Sequence, residues 1–448
     1  MILIKNGTVV SDSVLSSDIL TDGTKILKIA PDIDAPDAEI IDAKGCYVFP
    51  GMIDAHTHMQ MENPLAKTAD DYESGTAAAI CGGTTTIINF ATGKPELTLR
   101  QSFENELKNA EGHSSCNYKF HMELVKADDV TLREIHEMED LGVTSFKIYM
   151  AYGFRLNDKQ IYKILKEVKK AGLLLESHCE NGDLLDCIME DLVKSGQNLP
   201  QNQGKAHPAE AEAEAISRLS YIAKLIDYPV HIVHLSTELG LNEVRKARQA
   251  GVTVTAETCP QYITLDDSVY SLSGTQAAKY VFAPPARSKT DKKAIYDAII
   301  NGEIQTMATD HCPFNYNTDK IVKNNDLRLI PGGIPGVEHR VSICYTKLLY
   351  SKAIDEIAFV KLMAENPAKL YKMYPKKGIL KVDSDADIVI YEKTGEHTIT
   401  SEEQKQNVDY TPYEGMKVQG RVKDVILGGE LVVKDGKLIK KYRGQYVK

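Results

Sequence analysis

Beyond Pro50 the sequence alternates between short β-rich runs and segments with the hydrophobic period of an α-helix. This alternation is typical of βαβ units, whose strands lie parallel in one sheet, and eight such units close into a barrel. The predicted strands cover residues 48–56, 84–90, 118–124, 145–150, 173–178, 230–235, 252–257 and 305–309. Helices are predicted over residues 71–80, 132–141, 158–171, 210–226, 238–250, 289–300 and 337–350. We therefore predict an α/β fold, a (β/α)8 TIM barrel.

Further β-rich runs flank this region at both ends of the chain. Residues 2–10, 25–30 and 39–42 come before it, and residues 386–391 and 424–433 come after it, separated by turn signals such as Gly428 and Gly429. The simplest packing joins the two sets of strands in one small β-sandwich domain. The predicted segments are the N-terminal part of the sandwich (1–49), the barrel (50–377), and the C-terminal strands with a tail (378–448).

The composition excludes several classes of partner. Of the 448 residues 43% are hydrophobic, and the net charge of -10 comes with no basic cluster, so nucleic acid is not an expected partner. No apolar run approaches the roughly 20 residues of a membrane helix, so no membrane partner is expected and a cytoplasmic protein is predicted. The eight cysteines are dispersed and include no CxxC pair, which favours reduced thiols.

A histidine pair ends the first predicted barrel strand. Side chains on a strand alternate between its faces, so His56 and His58 point the same way and can share one metal ion. Further potential ligands lie in or at the C-terminal ends of later predicted strands: Lys147, His178, His234 and Asp310. Functional groups of a parallel barrel collect at these ends, which favours a metal site. Other histidines, in helical or loop settings, are predicted to lie on the surface: His113, His136, His207 and His397.

Lys147 lies within an apolar run, residues 145–150, where an ammonium group is unfavourable. Burial favours the neutral amine, which can react with carbon dioxide to give an anionic carbamate with two oxygens able to bridge two metal ions. A lysine that reaches solvent or forms a salt bridge is the alternative. Imidazole and carboxylate ligands without thiolates favour Zn²⁺, with Mn²⁺, Fe²⁺, Co²⁺ and Ni²⁺ left open. Such a site indicates hydrolysis.

These motifs resemble the amidohydrolase superfamily, and within it the cyclic amidase branch of dihydropyrimidinases and hydantoinases. The resemblance extends over nearly the whole chain. It is carried by GMIDAHTH (51–58), CGGTTT (81–86), SFK (145–147), MAY (150–152), HCENG (178–182), IVHLS (232–236), ETCPQY (257–262), TDHC (309–312), GIPGVE (333–338) and YEGM (413–416).

The resemblance implies a site with two divalent metal ions, Zn²⁺ being the leading candidate. One ion would be held by His56, His58 and Asp310, and the other by His178 and His234. Lys147, modified by CO₂ to N6-carboxylysine, would bridge the two ions. Asp310 would also carry a proton to the departing nitrogen, and Tyr152 would donate its hydroxyl to the developing oxyanion.

The implied reaction is ring opening of a 5,6-dihydropyrimidine or 5-substituted hydantoin, a small cyclic ureide, to the N-carbamoyl amino acid by a bridging hydroxide. Main-chain groups at Ala283 and Gly332 would contact the substrate. The family commonly has serine and asparagine at these two positions, so this chain departs from the pattern there. A homotetramer is expected, as is common in the family.

Three alternatives stay open from the sequence. A dihydroorotase usually has an arginine two residues after the second histidine, where this chain has Gln60. An allantoinase is expected to differ from residues 59–64 of this chain. A non-catalytic scaffold related to dihydropyrimidinase would lose metal ligands, which this chain keeps. The sequence does not choose between dihydropyrimidine and hydantoin, or between enantiomers.

Overall fold

The computed structural model describes residues 1–448, and seven short strands come first in the chain. These are β1 (Ile2–Lys5), β2 (Thr8–Val10), β3 (Val14–Ser16), β4 (Asp18–Asp22), β5 (Lys25–Ala30), β6 (Glu39–Asp42) and β7 (Cys46–Pro50). Eight barrel strands follow: β8 (Met52–Thr57), β9 (Thr84–Ala91), β10 (Asn117–Glu123), β11 (Ser145–Tyr149), β12 (Leu174–His178), β13 (Val230–Ile232), β14 (Val254–Thr258) and β15 (Thr306–Met307). Four strands end the chain: β16 (Ile388–Thr398), β17 (Lys417–Leu427), β18 (Glu430–Lys434) and β19 (Lys437–Leu438).

The eight barrel strands form one parallel sheet in sequence order, from β8 to β15. The chain after β15 then returns to β8, because Thr57 pairs with His311 in a parallel bridge. The main-chain N–H of His58 also donates to the carbonyl of His311 at 2.8 Å. The predicted TIM barrel is confirmed.

Thirteen α-helices connect or cover the strands. They are α1 (Tyr72–Cys81), α2 (Leu99–Ala110), α3 (Asp129–Glu137), α4 (Asp158–Ala171), α5 (Gly182–Lys194), α6 (Gln203–Ala206), α7 (Ala209–Ile226), α8 (Glu238–Gln249), α9 (Gln261–Thr264), α10 (Lys289–Ile300), α11 (Arg340–Cys344), α12 (Glu356–Val360) and α13 (Asn366–Leu370). The sequence signals of α4 are typical: the side chain of Asn157 caps its first turn, and Gly172 ends it with φ of 66°.

The two ends of the chain meet in the β-sandwich, as predicted. One sheet has the order β5-β4-β1-β6, and the other has the order β19-β18-β17-β16-β7-β2-β3. The second sheet joins the termini through antiparallel pairing of β7 with β16. A small buried cluster fills the space between the sheets, with Ile4, Val9, Val48, Ile388 and Ile426 among its members.

The predicted strand over residues 48–56 is wrong as one element, because the chain changes sheets at Gly51. β7 belongs to the sandwich and β8 to the barrel. A Cβ atom at Gly51 would lie 2.0 Å from Oγ1 of Thr85, so the close approach of the two segments requires glycine. The predicted strand over residues 2–10 likewise divides at Asn6, whose φ is 64°.

Other predicted bounds also shift. The helix predicted over 337–350 is regular only at Arg340–Cys344 and widens after it, and the eighth strand is confined to Thr306–Met307. β7 ends at Pro50 and β16 begins at Ile388. The domain boundaries after residues 49 and 377 stay predictions. None of the helices is both long and apolar enough to cross a membrane.

Candidate metal-dependent active site

The first and last barrel strands bring three predicted ligands together. Nε2 of His56 lies 3.2 Å from Oδ1 of Asp310, and Nε2 of His58 lies 3.1 Å from the same oxygen. The ligand atoms of the three residues all lie within 4.8 Å of one another. Two imidazoles and one carboxylate at this separation form a set that one divalent ion can bind.

A second pair of predicted ligands lies beside the first group. His178 ends β12, and His234 follows β13 by two residues. Nδ1 of His178 lies 3.0 Å from Nε2 of His234, so the two ring nitrogens converge on one point. The ring centroids of His234 and His56 are 5.4 Å apart, which places the two groups side by side.

Two fully buried glutamates orient these histidines. Oε1 of Glu257 lies 2.7 Å from Nδ1 of His56, and Oε2 of Glu180 lies 2.9 Å from Nε2 of His178. Each contact fixes one ring nitrogen and turns the other toward the predicted metal position. Carboxylates commonly orient metal-binding histidines in this way. Neither glutamate is predicted from the sequence as a site residue, although Glu180 follows His178 by two residues and Glu257 opens one of the motifs.

Three of the predicted ligands, Asp310, His178 and His234, are in the protonation state that binds a metal ion. Burial acts to raise the pKa of Asp310, but His56 and His58 hold it well below its ordinary value. Burial and the neighbouring His178 hold the pKa of His234 well below its ordinary value, and burial also lowers that of His178. The aspartate is therefore ionised and both of these imidazoles are neutral at pH 7, which are the forms that bind metals.

Asp54 supports the main chain at Asp310. Its Oδ1 accepts the N–H of Thr309 at 3.0 Å, and its Oδ2 accepts the hydroxyl of the same threonine at 2.7 Å. Asp54 is fully buried on β8, two residues before His56. One carboxylate thus couples the strand of the histidine pair to the segment of the third ligand.

Lys147 lies in β11 with only 1% of its surface exposed. Its Nζ is 4.7 Å from the ring centroid of Phe90 and 5.4 Å from that of Tyr149. The amine makes neither a hydrogen bond nor a salt bridge in the structure, so the salt-bridge alternative has no support. A buried amine flanked by aromatic rings and free of acceptors fits the chemistry of a lysine that is modified to an anion.

The predicted substrate contacts lie around the same end of the barrel. The ring centroid of Tyr152 is 4.9 Å from that of His178, and the ring stacks on Phe154 at 5.7 Å. The segments of Ala283 and Gly332 are neighbours, because a Cβ at Gly332 would lie 4.0 Å from Cα of Phe282. The roles of Tyr152, Ala283 and Gly332 stay predictions.

Three predicted site residues have a strained backbone conformation. Tyr152, His234 and Asp310 have φ values of 70°, 40° and 54°. Positive φ is unfavourable for residues with a Cβ, especially bulky ones, and such strain is characteristic of functional sites. Contacts elsewhere in the fold therefore hold these three residues in an unfavourable backbone conformation.

His207 is not a surface residue, contrary to the sequence prediction. Its Nδ1 lies 3.0 Å from Oε1 of Glu180, and its side chain is only 15% exposed. A carboxylate that already bonds His178 draws it inward, a contact that no local sequence pattern indicates. The other three histidines predicted to lie on the surface are exposed, namely His113, His136 and His397.

Fold and site together define a class, the barrel hydrolases that use divalent metal ions. The amidohydrolase family matches residues 47–432. The D-hydantoinase of Geobacillus stearothermophilus is 39% identical over 451 residues, covering 100% of this chain and 96% of that protein. The D-hydantoinase of Rhizobium radiobacter is 37% identical, covering 97% and 95%. The crystal structure of dihydropyrimidinase from Brevibacillus agri superposes with a TM-score of 0.98 at 36% identity, covering 100% and 98%.

The chain belongs to the amidohydrolase family, in the branch of the hydantoinases and dihydropyrimidinases. It is an enzyme that hydrolyses C–N bonds of cyclic amides, and its family depends on divalent metal ions.

Proposed function

We propose that the enzyme opens the ring of a 5,6-dihydropyrimidine or a 5-substituted hydantoin to give the N-carbamoyl amino acid. The observation that carries the proposal is the pair of adjacent ligand groups, one around Asp310 and one where His178 and His234 meet at 3.0 Å. The names of the relatives support this choice over an allantoinase or a dihydroorotase. The retained ligands argue against a non-catalytic scaffold.

Two divalent ions, Zn²⁺ foremost, fit these donors. His56, His58 and Asp310 would bind one ion, and His178 and His234 the other. Carboxylated Lys147 would help to hold both ions. When bound, such a pair polarises the amide carbonyl and lowers the pKa of water enough to supply hydroxide at neutral pH.

Asp310 is suited to proton transfer by its own geometry. Its Oδ1 faces both His56 and His58, whereas Oδ2 has no bonded partner in the protein. The ionised Oδ2 accepts a proton as water adds to the carbonyl and returns it to the ring nitrogen as the C–N bond breaks. The same carboxylate thereby serves as base and then as acid.

Tyr152 and two loop segments would orient the substrate. The Tyr152 hydroxyl would donate to the carbonyl oxygen as negative charge develops on it. Main-chain groups at Ala283 and Gly332 would bind the ureide edge. Gln60 follows His58 by two residues, where a dihydroorotase usually has an arginine, and its neutral side chain suits a ring without a carboxylate. The homotetramer and the cytoplasmic location stay predictions.

Activity and metal content test the proposal together. The protein is purified with added zinc and bicarbonate, its metal is quantified, and hydrolysis is measured for 5,6-dihydrouracil, hydantoin and both enantiomers of a 5-substituted hydantoin. Allantoin and dihydroorotate serve as competing substrates. We expect close to two ions per chain and turnover of at least one of the first group. Turnover of allantoin or dihydroorotate alone, or less than one ion per chain with no turnover, would contradict the proposal.

A further inference from the structure

A fully buried lysine lies behind the two loops that carry Ala283 and Gly332. The Lys320 side chain has no exposed surface, and its Nζ donates to the main-chain carbonyls of Val281 at 2.9 Å and Pro331 at 3.0 Å. No carboxylate pairs with it. One amine thus bonds both loops. Val281 lies two residues before Ala283, and Pro331 lies one residue before Gly332.

A third hydrogen bond joins the same loops. The N–H of Gly333 donates to the carbonyl of Val281 at 3.0 Å, so that this oxygen receives both Gly333 and Lys320. The spacing between the loops is therefore set by bonds on both sides of Gly332.

The two loops also contact the segment that carries Asp310. The N–H of Cys312, two residues after Asp310, donates to the carbonyl of Ile334 at 3.0 Å. A Cβ at Gly333 would lie 2.3 Å from the carbonyl oxygen of Cys312, so the two backbones are in direct contact. A shift of the loop at 331–333 would change its position relative to Asp310.

Burial of an amine that pairs with no carboxylate is unfavourable, and only its hydrogen bonds offset the lost hydration. Burial lowers the pKa of Lys320 to about 7, because the charged form loses its hydration. A methionine of similar length would fill the same space without that cost. The lysine must therefore contribute something that packing alone does not, and its two bonds fix the relative position of two loops.

We propose that Lys320 is a positioning residue for substrate binding, which holds the main chain at Ala283 and Gly332 at the spacing that a cyclic ureide requires. This inference rests on the proposed function of those loops. Loss of the amine should therefore impair substrate binding more than the chemical step, because Lys320 bonds none of the metal ligands, Asp310 included.

A second buried lysine provides a matched control. Lys119 on β10 is 1% exposed, and its Nζ likewise donates to two main-chain carbonyls, those of Gly142 and Val447. It bonds the C-terminal tail and the turn before β11, away from the predicted ligands. Lys119→Met therefore removes the same chemistry without touching the substrate loops.

The experiment compares wild type, Lys320→Met and Lys119→Met, each loaded with zinc and bicarbonate. For Lys320→Met we expect the KM for the best ring substrate to rise about tenfold, with kcat within about threefold and metal content unchanged. Lys119→Met is expected to keep the wild-type KM. If Lys320→Met does not fold, Lys320→Ala is assayed with and without n-propylamine, which should lower its raised KM.

The outcomes separate this inference from the proposed function. An active wild type with an unchanged KM in Lys320→Met, or an equal rise in both variants, would overturn the role of Lys320 alone. A loss of metal in Lys320→Met would do the same, since it would show a general effect on the fold. A wild type inactive on every ring would overturn the proposed function and this inference with it.

Discussion

Nε2 of His178 lies 2.9 Å from Oε2 of Glu180, a carboxylate with no exposed surface. The contact fixes the histidine so that Nδ1 faces His234. Burial acts to raise the pKa of Glu180, but His207 and His178 hold it well below its ordinary value. The glutamate is therefore ionised at pH 7, and the site contains a negative charge that none of the predicted ligands supplies.

Glu180→Gln is expected to weaken metal binding at the His178 and His234 pair by about 10- to 100-fold, because the histidine loses a charged partner that orients it. The measurement is the metal content of the protein after dialysis against graded chelator concentrations. Glu190→Gln, on the exposed surface of α5, is the control and should match wild type. Equal metal retention by all three proteins would show that Glu180 does not support the site.

Lys147→Ala is expected to lose the two-ion centre, because the carbamate is the anionic ligand proposed to hold both ions. Short-chain carboxylic acids should partly restore both metal content and activity by supplying a carboxylate in the vacated space. Lys126→Ala, a change at a partly exposed lysine, should need no such addition. Failure of acetate and propionate to restore either property would count against a carbamate on Lys147.

Tyr152→Phe tests the hydroxyl without removing the ring that packs on His178 and Phe154. Loss of one donor to a developing oxyanion should lower kcat by about 100-fold or more, with metal content unchanged. Tyr162→Phe is the matched control, because both tyrosines are 38% exposed. A kcat near the wild-type value would remove Tyr152 from the mechanism and leave it as a packing residue.

The sequence predicts the barrel well because its signals are local and repeated. Several helices have their own period and caps, as at α4, and most of the predicted ligands lie at strand ends. The divided strand at Gly51 was not predictable, since the contact that divides it is with Thr85 in another strand. The buried partners of the ligands were not predictable either, because most of their contacts are also with residues distant in the sequence. Glu180 and Glu257 lie within motifs of the sequence and Lys320 lies in none, but only the folded chain shows what these three side chains bond.

Glu106 provides a test of pH dependence away from the metal centre. It lies on α2, where its Oε1 accepts the hydroxyl of Tyr72 at 2.6 Å and the amide of Asn89 at 2.9 Å. Burial raises its pKa to about 7 in spite of these bonds. The folded protein thus binds this proton more tightly than the unfolded chain, so the associated stability is present below about pH 4.5 and is lost as the pH rises to about 7.

Glu106→Gln keeps an acceptor for both bonds and removes the buried charge. The variant should match wild type near pH 4 and exceed its unfolding free energy by up to roughly 3 kcal/mol at pH 8 to 9, where wild type must bury a carboxylate. The measurement is thermal unfolding of chelator-treated protein across this pH range. Glu104→Gln, exposed on the same helix, should show no such divergence. A constant difference in Tm from pH 5 to pH 9 would show that Glu106 does not titrate in this range, because only a group that changes its protonation there can make the gap grow with pH.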